Sequence, residues 1–322
     1  LSLGHRIIER EQILVLLVIP LFLAVLIYSA GNDSSYWLKY WWMFPTALVI
    51  ATVVNTVGIS GAALFVPFFV LVFPIFADEL SPEQTVKLGL ITESFGLSSS
   101  ALAFIRFGLV DRKIGIYAVL GAVPFVVAGA LLSFAVPVHV FRVLVALALL
   151  GAVYLMLSRE RVKAKIESIQ NRFIDEHHPQ HMTNVEFTDR GGNTYYYCRC
   201  GYRTRFIGYG TGGLFQGVAG FGIGELGIVT MLITEIPIRV AIGTSHMVVA
   251  LTAIVASSVH LAGSSVEGTV TPWNIIVMTV PAVIIGGQVA PYIAAQLKVS
   301  ILEYFVAALF VVMSVALIFS SL

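Results

Sequence analysis

The sequence predicts an all-α polytopic membrane protein. It is built as two inverted repeats, each a re-entrant half-helix hairpin plus three transmembrane helices, with an extra N-terminal helix and a cytoplasmic insert. Three observations carry this reading. Of 322 residues, 58% are hydrophobic and 11% charged, where soluble domains hold roughly 45–50% and about 25%. Residues 158–205 hold nine Lys/Arg and six Asp/Glu, leaving few charges elsewhere. Two further segments, 44–76 and 206–234, are each interrupted near the middle by small residues. This composition excludes a water-soluble globule, a disordered chain and a nucleic-acid binder, whose footprint is a basic face.

A helix needs about 20 apolar residues to cross a hydrocarbon core roughly 30 Å thick. Residues 13–29 come first, after Arg6 and Arg10. Tyr28-Ser29-Ala30 is a poor small-x-small cleavage site, so this stretch reads as a retained helix rather than a signal peptide. Segment 44–76 is 33 residues long, too long for one upright helix and too short for two. Residues 88–107, 114–135 and 139–157 follow as spans. After the insert comes 206–234, 29 residues long, and then 240–262, 273–295 and 301–320. The interruptions are Gly58-Ile59-Ser60-Gly61 and Gly220-Phe221-Gly222-Ile223-Gly224. Glycine weakens a helix and permits a turn. Each segment is therefore either a hairpin of two half-helices or one long, broken, tilted helix. The positive-inside rule favours the hairpins. With the insert cytoplasmic, hairpins place 16 Lys/Arg inside and 3 outside (Lys39, Lys87, Arg142), whereas spanning helices give 13 and 6. The N-terminus and the insert then face the cytoplasm. The organisation reads as 1–43 N-terminal helix and loop, 44–157 first repeat, 158–205 insert, 206–322 second repeat.

The halves match position by position. Gly58 pairs with Gly220, Ser60 with Gly222 and Gly89 with Gly243; Pro124 and Gly129 pair with Pro281 and Gly286 at the same separation. Three crossings per half is odd, so the second half is inverted and the two breaks approach each other at mid-membrane. Inverted repeats with discontinuous helices are a transporter signature.

Gly58-Ile59-Ser60-Gly61-Ala62-Ala63-Leu64-Phe65-Val66-Pro67 resembles the glycine-rich opening of the TauE/SafE sulfite-exporter family, also called the toluene-sulfonate uptake permease superfamily. Ala241-Ile242-Gly243-Thr244-Ser245 resembles that family's second-half motif, and Gly108-Leu109-Val110-Asp111 its short helix exit. The likeness covers both repeats and omits the first helix and the insert. It implies secondary transport, as export, of sulfite or related sulfur-containing anions such as sulfonates, by an integral protein of the cell membrane. Ser60 and two alanines break the first glycine run and Ile223 the second, a departure that falls where tip geometry would select the anion.

A small oxyanion in a low-dielectric site needs oriented donors, and the starts of half-helices supply free N–H groups and the positive dipole end. Gly58, Ser60, Gly61, Gly220, Gly222 and Gly224 let an anion approach the backbone. Asn55, Thr56, Gln216, Thr92, Thr244, Ser245 and His246 are candidates to add side-chain bonds, against the alternative that the hydroxyls bond their own helix. Glu225 and Glu93 are intramembrane carboxylates and candidate proton carriers. Glu225 falls in the first turn of a half-helix, where it either caps the helix or couples proton to anion; Glu93 reads as shallower. His260 reads as interfacial.

In the insert, Val185–Thr188 and Thr194–Tyr197 have strand character about an Asp189–Asn193 turn. His177, His181, Cys198 and Cys200 are a conceivable zinc site, although C-x-C is not the usual knuckle. No other cofactor is expected. The two cysteines lie one residue apart, too close for an ordinary structural disulfide, and a reducing cytoplasm would keep both thiols free; a redox or sulfur-relay role is the weaker reading. Two rival functions remain: an intramembrane serine protease using Ser60 with His246 as base, and an uncoupled anion channel. The expected partners are a sulfur oxyanion such as sulfite, protons and the lipid bilayer, and no nucleic acid; no enzymatic activity is expected.

Overall fold

The computed structural model describes residues 10–30, 33–175, 185–190, 192–267, 270–296 and 299–321. Helix α1 (Arg10–Ala30) and a short α2 (Ser34–Leu38) precede α3 (Met43–Val57) and α4 (Ala62–Pro67), the latter continued by a π turn, Phe68–Val72, and a 3-10 turn, Phe73–Ile75. Then come α5 (Pro82–Arg106), α6 (Arg112–Ser133), α7 (Val138–Asp175), β1 (Val185–Thr188) and β2 (Thr194–Tyr197). The rest is α8 (Tyr202–Ala219), α9 (Ile223–Ile233), α10 (Ile238–Glu267), α11 (Trp273–Gln296) and α12 (Val299–Ser321). Stretches of six of these, in α5, α6, α7, α10, α11 and α12, are long and apolar enough to cross a membrane. The protein is an integral membrane protein.

Helix boundaries follow local chemistry. The span predicted over 88–107 starts earlier because Ser81 and Gln84 form a reciprocal capping box, with Pro82 at the first helical position. That recruits a polar turn into α5. Helix α7 runs on past 157 into the charged insert.

Both interrupted segments break at their glycines. Gly58 closes α3 at φ 75°, its N–H on the Val54 carbonyl, and Gly220 closes α8 at φ 90°, its N–H on the Gln216 carbonyl. These are left-handed caps that a Cβ would strain. After each cap the chain turns back on itself. A Cβ on Gly208 would stand 2.3 Å from a Thr230 methyl and one on Gly212 2.7 Å from the Ile223 Cα, so α9 runs antiparallel against α8. In the first half the rings of Tyr40 and Trp42 meet Phe73 at centroid distances of 5.4 and 5.7 Å, which brings the two far ends together.

A matching contact joins the two halves twice. Helix α6 packs on α8, and α11 on α3. A Cβ on Gly129 would stand 2.2 Å from the Leu214 carbonyl oxygen, and one on Gly286 would stand 3.2 Å from the Thr52 amide nitrogen. Leu214 and Thr52 each lie six residues before their cap glycine. In the insert, β1 and β2 pair antiparallel, from Val185 opposite Tyr197 to Thr188 opposite Thr194. Asp189 holds the turn by accepting from the Asn193 amide (2.8 Å) and the Tyr195 hydroxyl (3.0 Å).

These close approaches make one position intolerant. A Cβ on Gly217 would lie 2.3 Å from the Val126 oxygen and 2.5 Å from the Ala130 nitrogen, both backbone. Gly217→Val should cost at least the ~1–3 kcal/mol of an overpacked core, seen as loss of the monodisperse gel-filtration peak or a lower Tm in detergent. Gly151→Ala, in open space, should leave both unchanged.

Candidate functional site

The two helix breaks touch. The Ser60 amide donates to Glu225 Oε1 at 2.9 Å, although the residues are 165 apart in sequence. A Cβ on Gly224 would stand 3.6 Å from that same amide nitrogen. The Ser60 hydroxyl donates to Glu93 Oε1, the Ala62 amide reaches the same oxygen at 3.3 Å, and Gln216 Nε2 donates to Glu93 Oε2 at 3.3 Å. Ser60, Glu93, Gln216 and Glu225 are all buried.

The local reason is the helix start. The first N–H groups of α4 and α9 have no intrahelical acceptor, and neither N-cap residue, Gly61 or Gly222, supplies a side-chain cap. Negative oxygens satisfy such donors and match the positive end of the dipole. Glu225, in the first turn of α9, reaches across to the other break. Around this junction three buried oxygens have no hydrogen-bond partner among the described residues: Glu225 Oε2, Gln216 Oε1 and Asn55 Oδ1.

This arrangement of paired helix breaks is what the glycine motifs pointed to. The chain belongs to the sulfite exporter TauE/SafE family, whose match spans residues 43–317. It is also similar to the "Probable membrane transporter protein YunE" of Bacillus subtilis (strain 168), at 26% identity over 266 residues, covering 78% of this chain and 87% of that protein. No solved structure matches significantly. As a member of this transporter family the protein is a membrane transporter.

The junction gathers Ser60, Gly61, Gln216, Gly224, Glu225 and Glu93, with Gly58, Gly220 and Gly222 shaping its backbone. Ser245 supports it from α10, its hydroxyl donating to the Gly224 carbonyl at 3.3 Å. Asn55 Nδ2 bonds its own helix at Ala51 O (2.7 Å), and Thr56 likewise bonds Thr52 O. Thr92 pairs with Thr279 at 3.1 Å. The Thr244 hydroxyl accepts from the Asp111 amide (2.9 Å) and so braces the α5–α6 exit rather than the junction.

Several expectations need correction. Glu93 is not shallow: it sits at the junction, because Gly89 one turn earlier lets α5 approach α4, where a Cβ would stand 2.9 Å from Val66 Cγ2. Ser60 and His246 do not form a hydroxyl–imidazole pair, so the protease reading loses its geometry. Ser60 is engaged by Glu93, and His246 Nδ1 lies 3.0 Å from Ser100 Oγ. His260 is fully buried rather than interfacial, with Nε2 3.0 Å from the Gly217 carbonyl. The charge count assigned Lys87 only to a side of the membrane; its side chain is fully buried and held by Glu83 (3.2 Å) and the Ser264 hydroxyl. No spacing rule pairs residues 177 apart; the polar content of α5 was the available signal. Cys198 and Cys200 are joined as a disulfide rather than free, their Cα atoms 5.1 Å apart. In that form neither is a thiolate ligand. His177 and His181 lie outside the described residues, and among the described residues no cluster of three His, Cys, Asp or Glu is placed to hold a metal.

Sequence reading missed how the insert attaches. Asp111 caps α6 by accepting from the Lys113 and Ile114 amides. It also accepts from Tyr197 Oη and Arg199 Nε, both at 2.7 Å. Burial alone would raise its carboxyl, but the bonds from Arg199, Tyr197 and Ile114 outweigh that and hold it below the ordinary aspartate value.

Two outcomes follow. A depressed carboxyl contributes stability that is complete above its unfolded value of about 3.9 and is lost as pH falls through the folded value. Hydrogen exchange of β2 should therefore stay protected from neutral pH down to about pH 5 and weaken only in stronger acid, and Asp111→Asn should weaken it at every pH. For the Lys87–Glu83 pair, Lys87→Met should destabilise by about 1.5–3 kcal/mol by removing a charged donor from Glu83. The double variant Lys87→Met/Glu83→Gln should recover much of the loss in a detergent melt.

Proposed function

We propose that this chain is a secondary transporter that exports sulfite, or a related sulfur-containing oxyanion or sulfonate, across the cell membrane in company with protons. In this reading the two halves are inverted repeats, their breaks are re-entrant tips from opposite faces, and the N-terminus and insert are cytoplasmic. The recurrence of the α6–α8 contact as α11–α3, at equal distances from each cap glycine, supports the repeat.

The observation that carries the reading is the Ser60 amide on the Glu225 carboxylate at 2.9 Å. The donors an oxyanion needs exist at the touching breaks, and a carboxylate oxygen already tests them. Ser60 N–H, Ser60 O–H and Ala62 N–H converge on carboxylate oxygens. A substrate oxyanion bonds the same three donors only by displacing those oxygens.

That exchange is governed by electrostatics. Two unit charges 4 Å apart repel by about 4 kcal/mol at an effective dielectric of 20. An anion entering beside an ionised carboxylate meets that penalty. Protonation removes it and turns the carboxyl from a competing acceptor into a donor toward the anion. Proton and anion then bind together and leave together, which is coupling. Neutral donors also release their cargo more readily than a buried cation would.

The family's sulfite designation supports the substrate class. Proteoliposomes with an imposed pH gradient should accumulate sulfite with saturation and counterflow, and compete with sulfonates and thiosulfate. Steady conductance in planar bilayers without counterflow would instead show a channel. Wild-type flux should rise as the pH on the anion-loading side falls. In Glu225→Gln, which keeps a neutral hydrogen-bonding group, that pH slope should vanish while flux persists; an unchanged slope would retire the coupling role.

A further inference from the structure

Cys198-Arg199-Cys200 connects β2 to α8, and transport as derived above makes no use of it. The disulfide closes a small ring around Arg199. Arg199 is also where this loop grips the membrane-embedded helices, at two points. Its Nε donates to Asp111 Oδ2 at 2.7 Å. Its carbonyl accepts from Arg205 Nη2 at 2.6 Å, and Arg205 Nη1 donates to Thr234 Oγ1 at 2.8 Å. Thr234 caps the C-terminal end of α9. The other end of α9 carries Gly224 and Glu225. Asp111 leads to the same place, since its amide holds Thr244 and the adjacent Ser245 holds the Gly224 carbonyl. The ring is thus tied to both ends of the half-helix that forms the second break. Cys200 is exposed and Cys198 half-buried, so a dissolved nucleophile reaches the bond.

We propose that the Cys198–Cys200 disulfide is a sulfite-modification site, through which the concentration of the transported anion controls the freedom of α9. The inference rests on sulfite being the substrate. Sulfite is a sulfur nucleophile. Its lone pair attacks Sγ of Cys200, forming an S–S bond to the sulfite sulfur. The Cys198–Cys200 bond breaks, and its electron pair leaves on Cys198 as a thiolate. Disulfide plus sulfite becomes one S-sulfonate and one thiolate, with no other reactant. When sulfite falls, the Cys198 thiolate attacks the S-sulfonate, expels sulfite and re-forms the disulfide. Exposed disulfides are the labile, regulatory ones, and those on a cytoplasmic face are transient or sensing. Opening the ring frees the Arg199 backbone. It also sets two negative groups beside the guanidinium, in competition with Asp111. Both effects release α9 from the insert.

The test uses the full chain in detergent, incubated separately with sulfite, sulfate and glutathione, then read by intact mass and peptide mapping. Sulfite should add one SO3 group at Cys200 and expose one alkylatable thiol at Cys198, and dilution should reverse both; sulfate should do neither. Opening by glutathione without any sulfite adduct would overturn the proposal. In proteoliposomes, Cys198→Ser/Cys200→Ser, with the ring permanently open, should carry low sulfite about tenfold faster than wild type, a bias shift of ordinary allosteric size, and converge with it at high sulfite. Equal flux at every concentration would overturn the control of α9. Flux without adduct removes the modification and leaves sulfite transport standing; adduct without flux does the reverse.

Discussion

Backbone amides with no water to bond are the constraint on which the rest of this structure depends. Breaking a helix inside a membrane frees N–H and C=O groups that lipid cannot satisfy. Here the breaks are tolerable because they are pressed together and served by side chains. Glu225 from the second break reaches the Ser60 amide of the first, and Glu93 from α5 reaches the Ser60 hydroxyl and the Ala62 amide. The left-handed caps at Gly58 and Gly220 let the chain turn. The glycine contacts of α6 with α8 and of α11 with α3 hold the broken segments close to their neighbours.

A site satisfied in this way is also a site in waiting. Carboxylates that neutralise stranded amides are chemically close to the oxyanions the family is named for. In the proposed mechanism the resting protein and the loaded protein differ by which negative oxygens the donors hold. Such an exchange needs no large cavity and no permanent cation. It needs a proton to quiet the resident charge. The buried Lys87–Glu83 pair and His260, which reaches the Gly217 carbonyl one residue beyond Gln216, show that polar contacts extend from the junction along α5 and α10.

The insert belongs to the same logic at one remove. Its hairpin is small, and two strands are marginal alone in water. It is held by docking on Asp111, a residue already committed to capping α6. One carboxylate thereby ties a peripheral element to the helix exit that Thr244 braces.

Much of the architecture was legible in the sequence because its causes are local. Hydrophobic run length marks the spans, the glycine clusters mark both breaks, and the strand residues flanking Asp189–Asn193 mark the hairpin. Glu225 could be placed in the first turn of a half-helix by counting from Gly222. What the sequence did not reveal is which distant groups meet. Glu93 looked shallow when measured along its own helix, His260 looked interfacial, and nothing in the sequence paired Lys87 with Ser264. Each error has one source: helix depth and side-chain partner depend on how closely neighbouring helices approach, and that distance is set by pairs such as Gly89 with Val66 and Gly129 with Leu214, far apart in the chain. Periodicity and composition determined the elements and where they must bend; only tertiary packing decided that the two bends share one set of hydrogen bonds, because unsatisfied amides in a dry interior select their partners by proximity, not by sequence order.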